Sequence, residues 1–109
     1  MAYPLTPFGP TPLAGVEAVR TARIFRALGD PSRLQILGIL HNGNDLNGVD
    51  IGRQMTPQLS QPTVSHHLTL LRIAGMISEE KDGRYKRYRL LPEGVDRAAS
   101  LLLVPPVQS

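Results

Sequence analysis

Uncharged polar side chains recur along residues 61–69 at the spacing of one helix face. At about 100 degrees per residue, Val64, Leu68 and Leu71 form an apolar stripe. The opposite face is polar and carries Pro62, Ser65, His66 and Thr69, with Gln61 and Thr63 beside it. Short donors and acceptors suit the reading of base edges in a DNA major groove, whereas a face that only meets solvent more often carries Lys and Glu. The pattern predicts a helix that reads nucleic acid, and the alternative is an ordinary surface helix.

A cationic hairpin is predicted directly after this helix. Residues 76–81 can form a strand, Asp82-Gly83 is a strong two-residue turn signal, and residues 84–90 can return as a second strand. Alternation along the returning strand gives it one core-facing side and one side with Tyr85, Arg87 and Arg89. Cations beside an occupied groove would neutralise phosphates. The alternative is an edge strand whose Lys and Arg only discourage aggregation.

Two amphipathic helices are predicted at the start of the folded region. Apolar side chains recur at helical spacing from residue 16 until Gly29, which ends the first helix. Asp30-Pro31 then supplies an N-cap and a first-turn proline for a second helix, which ends before Asn42-Gly43. The inward stripe of this second helix is predicted to be Leu34, Leu37 and Leu40.

A helix-turn-helix with a wing is predicted for the middle of the chain. A short helix fits within residues 44–55, although Gly48 and Gly52 both disfavour helix formation. Ser60 is a good N-cap for the polar-faced helix, and Pro92 can open a fifth helix after the hairpin. The predicted fold class is therefore mainly α with a small β-hairpin, a winged helix-turn-helix of five helices and a two-stranded wing.

Composition limits the possible functions. The chain has 109 residues, enough for one domain with a modest core, and a formal net charge of +3, all of it carried by residues 60–91. It has no cysteine, which excludes disulfides and thiolate metal ligands. No run of 18 apolar residues and no signal peptide is present, so a cytoplasmic protein without a membrane span is expected. No nucleophile, base and orienting residue recur at interpretable spacing, so an enzyme is not expected.

Three segments together resemble the ArsR family of bacterial winged helix-turn-helix repressors. They are FRALGDPSRLQILGIL at residues 25–40, LSQPTVSHHLTLLRIAGMI at residues 59–77 and DGRYKRYRL at residues 82–90. The similarity covers about residues 22–91, and the three motifs stand in the family's order and spacing. This combination is far more specific than any one of the motifs.

The resemblance implies a homodimer, held mainly by the first and last helices, on a double-stranded DNA operator of imperfect two-fold symmetry. Two recognition helices would then enter successive major grooves. By similarity, base contacts fall to Gln61, Ser65 and His66, phosphate contacts to Ser60 and Thr63, and wing contacts to Arg84, Lys86 and Arg87. The apolar positions of the terminal helices that become candidates for the dimer interface are Val16, Val19, Val95, Ala99 and Leu102. Arg33 is expected to be structural or to clamp the backbone.

The chain departs from its relatives at the metal sites. Many members of the family carry a cysteine-containing motif where this chain has residues 46–50, LNGVD. Others bind metal through the last helix, where this chain offers only Glu93 and Asp96 and no histidine. Neighbouring His66 and His67 point about 100 degrees apart on a helix and do not readily converge on one ion. No metal and no cofactor is therefore expected at the family's usual sites.

The sequence predicts a transcriptional repressor, with a winged-helix protein-interaction module as the alternative. Residues 1–15 are Pro-rich and are expected to form a flexible arm. Residues 16–103 are expected to form the winged helix-turn-helix domain for DNA binding and dimerisation, and residues 104–109 a flexible tail. An unknown small-molecule or protein effector is compatible with the sequence. The operator and the inducing signal are not encoded in any motif we can identify.

Overall fold

The computed structural model describes residues 15–43 and 45–102, without the side chains of residues 16, 17, 43, 101 and 102. The described part is mostly helical, with the five helices that the sequence predicts. In chain order the elements are α1 (Gly15–Leu28), α2 (Pro31–Gly43), β1 (Leu46–Asn47), α3 (Gly48–Arg53), α4 (Gln61–Ile73), β2 (Ile77–Asp82), β3 (Tyr85–Leu90) and α5 (Pro92–Leu102). The predicted arm, residues 1–15, lies outside the described residues except for Gly15, as does the predicted tail, residues 104–109.

The sheet has three strands, so the prediction of a two-stranded wing was incomplete. The strand order is β1-β3-β2, and both pairings are antiparallel. In the short strand β1, Leu46 pairs with Tyr88 and Asn47 with Arg87. Two residues are too few to show an alternating pattern in the sequence. They form a strand because they pair with β3. The wing is consequently tied to the start of α3.

The hairpin turn lies one residue later than predicted. Asp82 pairs with Tyr85, which leaves Gly83 and Arg84 as the two turn residues. Gly83 has a φ of +61°, a left-handed conformation that favours glycine at this position of a tight hairpin. Asp82 is thereby kept in β2, where its carboxylate reaches β3.

Local signals set the helix ends largely as predicted. The Asp30 carboxylate accepts the backbone N–H groups of Ser32 (2.8 Å) and Arg33 (3.3 Å), so Asp30 caps α2. At the end of α4, Gly75 has a φ of +79° and donates to the Arg72 carbonyl, while the N–H of Met76 reaches Leu71. These two bonds form a Schellman motif, which turns the chain from the helix into β2.

The core lies between the helices and the inner face of the sheet. The predicted stripe of α4 is confirmed, since Val64, Leu68 and Leu71 are all buried. The predicted stripe of α2 was partly wrong, because Leu34 is 52% exposed and Ile36 is buried instead. Apolar residues occur on several sides of α2, so periodicity alone does not select the buried side. Among the described side chains, the remaining buried hydrophobic residues are Ile24, Ala27, Leu40, Ile51, Met55, Met76, Ile77, Tyr88 and Ala98.

Helix α5 approaches the end of α4 at glycine residues. A Cβ added to Gly94 would overlap the carbonyl group of Gly75, so the backbones of α5 and of this connection are in direct contact. Any side chain at residue 94 would push α5 away. Among the described residues, no helix combines the length and apolar character needed to cross a membrane.

Candidate nucleic-acid interface

Helices α3 and α4 form a closely packed helix-turn-helix. Gly52 of α3 faces α4, and a Cβ on it would lie 2.6 Å from Nε2 of Gln61 and 3.7 Å from Cγ2 of Val64. A Cβ on Gly48 would lie 3.9 Å from Oε1 of Gln61. The two glycines that weaken the helix prediction therefore provide the space in which the Gln61 side chain lies against α3.

The turn between α3 and α4 is held by a residue that the sequence analysis did not identify. The Gln35 side chain on α2 accepts the N–H of Thr56 at 2.8 Å and donates to the Thr56 carbonyl at 3.1 Å. This two-bond contact satisfies both backbone groups of one turn residue. No local motif signals it, because the two residues are 21 positions apart.

The N-terminus of α4 is capped by Ser60. Its hydroxyl accepts the N–H of Thr63 at 3.3 Å and lies 2.8 Å from the Thr63 hydroxyl, and both residues are exposed. The N–H of Val64 is bonded to the Ser60 carbonyl and Pro62 has no N–H. The first turn therefore offers a phosphate the N–H of Gln61 and the positive end of the helix dipole. Both predicted phosphate-contacting residues are therefore at the exposed start of this helix.

The predicted polar face of α4 is exposed. Gln61, Ser65 and His66 all lie on the surface, next to Pro62 and Thr69. Within residues 15–43 and 45–102, the side chains of Ser65 and His66 make no hydrogen bond, whereas the Thr69 hydroxyl donates to the carbonyl of Ser65 at 3.0 Å. The donors and acceptors of Ser65 and His66 are thus available to a ligand.

The three predicted wing residues differ in their partners. Arg87 donates from Nε to the Asp82 carboxylate at 2.7 Å and from Nη1 to the Asp45 carbonyl at 3.1 Å. The hydrogen bond and the charge of Asp82 raise the pKa of Arg87. Lys86 lies 3.7 Å from Glu79. Arg84, in the hairpin turn, has no side-chain partner in the described part of the chain.

Acidic neighbours offset part of the positive charge of the hairpin. Besides the contacts of Arg87 and Lys86, Arg89 lies 3.2 Å from the Asp45 carboxylate. Asp45 precedes β1, so the additional strand brings a carboxylate to the wing. The cations that the sequence places together on the hairpin therefore differ: Lys86, Arg87 and Arg89 are paired with carboxylates, and Arg84 in the turn is exposed.

Tyr88 anchors the wing to the core. It is buried, and its hydroxyl donates to Oε1 of Glu79 at 3.0 Å. Burial and this hydrogen bond raise the pKa of Tyr88 to about 12, so the hydroxyl keeps its proton and remains a donor. The outer side of β3 is consequently held at a defined orientation relative to α4.

Arg33 connects three helices. Its Nε donates to the Ala27 carbonyl at 2.7 Å and its Nη2 to the Arg26 carbonyl at 2.9 Å, both in the last turn of α1. Its Nη1 lies 3.2 Å from Nδ1 of His67 on α4. Arg33 therefore has a structural role at two protein carbonyls, one of its two predicted roles, whereas its contact with His67 was not predicted.

The candidate dimer residues lie on the two terminal helices, which pack against each other. Val19 is 60% exposed and Ala99 is exposed, while Val95 is half-buried against the core. Val16 and Leu102 belong to α1 and α5, but their side chains lie outside the described residues. An apolar surface that could meet a second subunit is therefore present at Val19.

Comparisons with known proteins agree with this geometry. The family model described as bacterial regulatory protein, arsR family, matches residues 30–79. An uncharacterized HTH-type transcriptional regulator of Methanocaldococcus jannaschii is 34% identical over 83 residues, which are 76% of this chain and 91% of that protein. The transcriptional repressor SdpR of Bacillus subtilis is 37% identical over 67 residues, covering 62% of this chain and 71% of SdpR.

A solved structure extends the similarity to the fold. The homodimeric winged helix-turn-helix DNA-binding domain of a possible ArsR-family transcriptional regulator from Mycobacterium bovis matches with a TM-score of 0.65 at 27% identity. The match covers 83% of this chain and 83% of that one. The predicted fold class is confirmed apart from the additional strand. The relatives are transcriptional regulators and not enzymes, as the sequence predicted.

Proposed function

Because the chain belongs to the ArsR family of bacterial regulatory proteins and has a winged helix-turn-helix DNA-binding domain, we propose that it is a repressor that binds its operator as a homodimer. Repression follows from occupancy, because a bound dimer excludes the polymerase and needs no catalytic step. The observation that carries this proposal is the exposed face of α4, on which Ser65 and His66 have no hydrogen-bond partner within the described residues. Unpaired polar groups on a rigid helix are suited to base edges.

Each candidate residue has a role that its position supports. Ser65 and His66 face the major groove and read bases. Gln61, exposed at the start of α4 with its side chain against α3, is the third base contact, at the edge of this face. Ser60 and Thr63, at the capped start of α4, hold a phosphate beside the groove. Arg84, Lys86 and Arg87 on the wing neutralise phosphates of the neighbouring backbone.

Dimerisation would place two copies of this surface on one operator. The related Mycobacterium bovis domain is a homodimer, and here Val19 on α1 and Ala99 on α5 are exposed. We assign the interface to these residues together with Val16, Val95 and Leu102. A two-fold axis between the subunits then requires an operator of imperfect two-fold symmetry.

The inducing signal is proposed not to be a metal bound at the family's usual sites. Residues 46–50 contain no cysteine, and α5 offers Glu93 and Asp96 without a histidine. Carboxylates alone are poor ligands for soft or borderline metal ions. DNA affinity should be unchanged by Zn²⁺ or arsenite, and release of the DNA by either would contradict this assignment. The remaining options are a small organic molecule, a protein antagonist, or control by the concentration of the repressor alone.

Selection of bound duplexes from a randomised DNA library tests the function directly. The purified protein should enrich a sequence of imperfect two-fold symmetry, and fluorescence anisotropy should show that its affinity falls steeply with added salt. Gln61→Ala and His66→Ala should each reduce the preference for the selected over a scrambled duplex by about 1–3 kcal/mol. His41→Ala, at an exposed histidine in the last turn of α2 and outside the polar face of α4, is the control and should retain the preference.

Two results would contradict the proposal. One is the absence of DNA binding at low salt. The other is a bound protein partner that an excess of duplex DNA fails to displace, which would favour the winged-helix protein-interaction module.

A further inference from the structure

A buried contact joins the recognition helix α4 to the end of α1. His67 is only 9% exposed, and its Nδ1 lies 3.2 Å from Nη1 of Arg33. The same guanidinium donates to the carbonyls of Ala27 and Arg26. Those carbonyls belong to the last turn of α1, where carbonyls lack the usual helical partners, although the Arg26 carbonyl also accepts the N–H of Gly29 at 3.3 Å. One arginine therefore satisfies the end of α1 and holds α4 at the same time.

The chemistry of this contact determines the protonation state of His67. A guanidinium has only donors, so the ring nitrogen that faces it must accept. Nδ1 is then unprotonated, and the ring is neutral with its hydrogen on Nε2. A proton on Nδ1 would remove the acceptor and would place a second positive charge beside Arg33.

The charged groups around His67 are few. Asp30, which caps α2, attracts a proton to the ring, whereas Arg33 on α2 and His66 on α4 oppose it. Burial is the largest cause, and together these effects lower the pKa of His67 below its ordinary value of 6.5. The Asp30 carboxylate is itself engaged by the N–H groups of Ser32 and Arg33. The neutral ring is therefore the form that this site favours.

We propose that His67 is a positioning residue for DNA recognition: as a neutral acceptor for Arg33 it sets the orientation of α4 relative to α1, and its protonation releases α4. This inference rests on the DNA-binding function proposed above. His67 adjoins His66, so a rotation of α4 about its axis moves the candidate base contacts directly. Since α1 is the proposed dimer helix, the contact also relates each recognition surface to the two-fold axis.

The direction of the pH effect follows from the lowered pKa. Between the ordinary histidine pKa and the lower folded one, the unfolded chain holds more protons on His67 than the folded protein. Stability therefore falls as the pH drops through that range. The orientation of α4 is lost as the pH falls through the lower folded pKa, where His67 of the folded protein takes up a proton. Above that range, neither changes with pH through this residue.

Three variants separate positioning from simple burial. His67→Gln keeps an acceptor for Arg33 but cannot be protonated, and His67→Leu removes the acceptor. The control is His41→Gln, at an exposed histidine in the last turn of α2 that lies outside the candidate interface. Thermal unfolding and affinity for the selected and scrambled duplexes are measured at about pH 7.5 and about pH 5.5, on either side of the ordinary histidine pKa. The imidazole ¹⁵N shifts of the wild-type protein report the tautomer without any DNA.

We expect the wild-type protein and His41→Gln to lose Tm and duplex preference on acidification. His67→Gln should keep the part of both that the wild-type protein loses through His67. At the higher pH, His67→Leu should lower the preference for the selected duplex about tenfold, because a buried donor is left unsatisfied. If His67→Leu does not fold, the comparison of His67→Gln with the wild-type protein carries the test.

Two results would overturn the inference. These are ¹⁵N shifts of a ring protonated on Nδ1, and a pH profile of His67→Gln equal to that of the wild-type protein. Both the ¹⁵N shifts and the melting curves are obtained without DNA. If the ¹⁵N shifts and melting profiles are as expected but neither the wild-type protein nor any variant binds DNA, the proposed function is contradicted and the role of His67 in holding α4 is not.

Discussion

At the scale of single residues, the exposed cations of the wing are not equivalent. Arg87 is held by Asp82 and by the Asp45 carbonyl, so it must leave or share these partners when it meets a phosphate. Arg84 has no such partner among the described residues, and its position in the hairpin turn leaves it extended into solvent. A residue's charge alone does not establish its contribution to DNA affinity.

Arg84→Ala should weaken binding to selected and scrambled duplexes alike and reduce the slope of log affinity against log salt by about one. Its folding stability should not change, since no partner is lost. Arg87→Ala should also weaken binding but should lower the Tm as well, because it releases Asp82 and Asp45. Anisotropy titrations over a salt series and thermal melts measure both effects, with Arg97→Ala on α5 as the control. An unchanged salt slope for Arg84→Ala would show that the turn does not contact phosphate.

At the scale of elements, two glycines in helices have opposite meanings. Gly94 in α5 lies directly on the carbonyl of Gly75, whereas a Cβ on Gly38 in α2 would meet nothing within 4 Å. Glycine is required where backbones touch, and it only weakens the helix where space is open. The position of α5, and with it the proposed dimer interface, depends on the contact between Gly94 and Gly75.

Gly94→Ala should therefore destabilise the protein by about 1–3 kcal/mol, as overpacking of a close contact does. Gly38→Ala is the matched control and should stabilise it by about 0.5–1 kcal/mol. Urea unfolding followed by circular dichroism gives both values, provided that the m-value stays constant. Equal stabilities of the two variants would mean that α5 moves freely at this contact.

At the scale of the whole molecule, DNA affinity is expected to depend on the assembly of two subunits. Each protomer has one recognition helix, and binding of two half-sites as a unit requires a stable pairing of α1 and α5 with their counterparts. Val19 is 60% exposed in the single subunit, a large fraction for an aliphatic side chain. Burial of this surface would contribute to the pairing.

Val19→Asp and Ala99→Asp should therefore shift the protein to monomers, because each places a charge in the proposed interface. A monomer binds one half-site at a time, so affinity for the selected duplex should fall at least tenfold, or by about 1.4 kcal/mol. Ile73→Asp alters another exposed apolar residue, 49% exposed at the end of α4, and should leave the dimer intact. Size-exclusion chromatography with light scattering measures the assembly, and anisotropy measures the affinity. Monomeric variants with unaltered affinity would exclude the paired arrangement.

The sequence by itself determined the features that depend on neighbouring residues. The buried stripe of α4, the Ser60 cap, the glycine that ends α4 and the polar face with Ser65 and His66 all follow from spacing within a few residues. Helical periodicity and cap chemistry act over one or two turns, so they can be recognised in the order of the residues. These features were sufficient to predict the recognition helix and the fold class.

Only the tertiary structure decided which distant residues meet. The contact of Arg33 with His67 spans 34 positions and that of Arg87 with Asp45 spans 42, and the strand β1 exists only because β3 pairs with it. The same holds for the exposed side of α2, where Leu34 faces solvent. A side chain such as Arg33 has several possible partners in the sequence. The packing of the whole chain around one core determines which of them comes within contact distance.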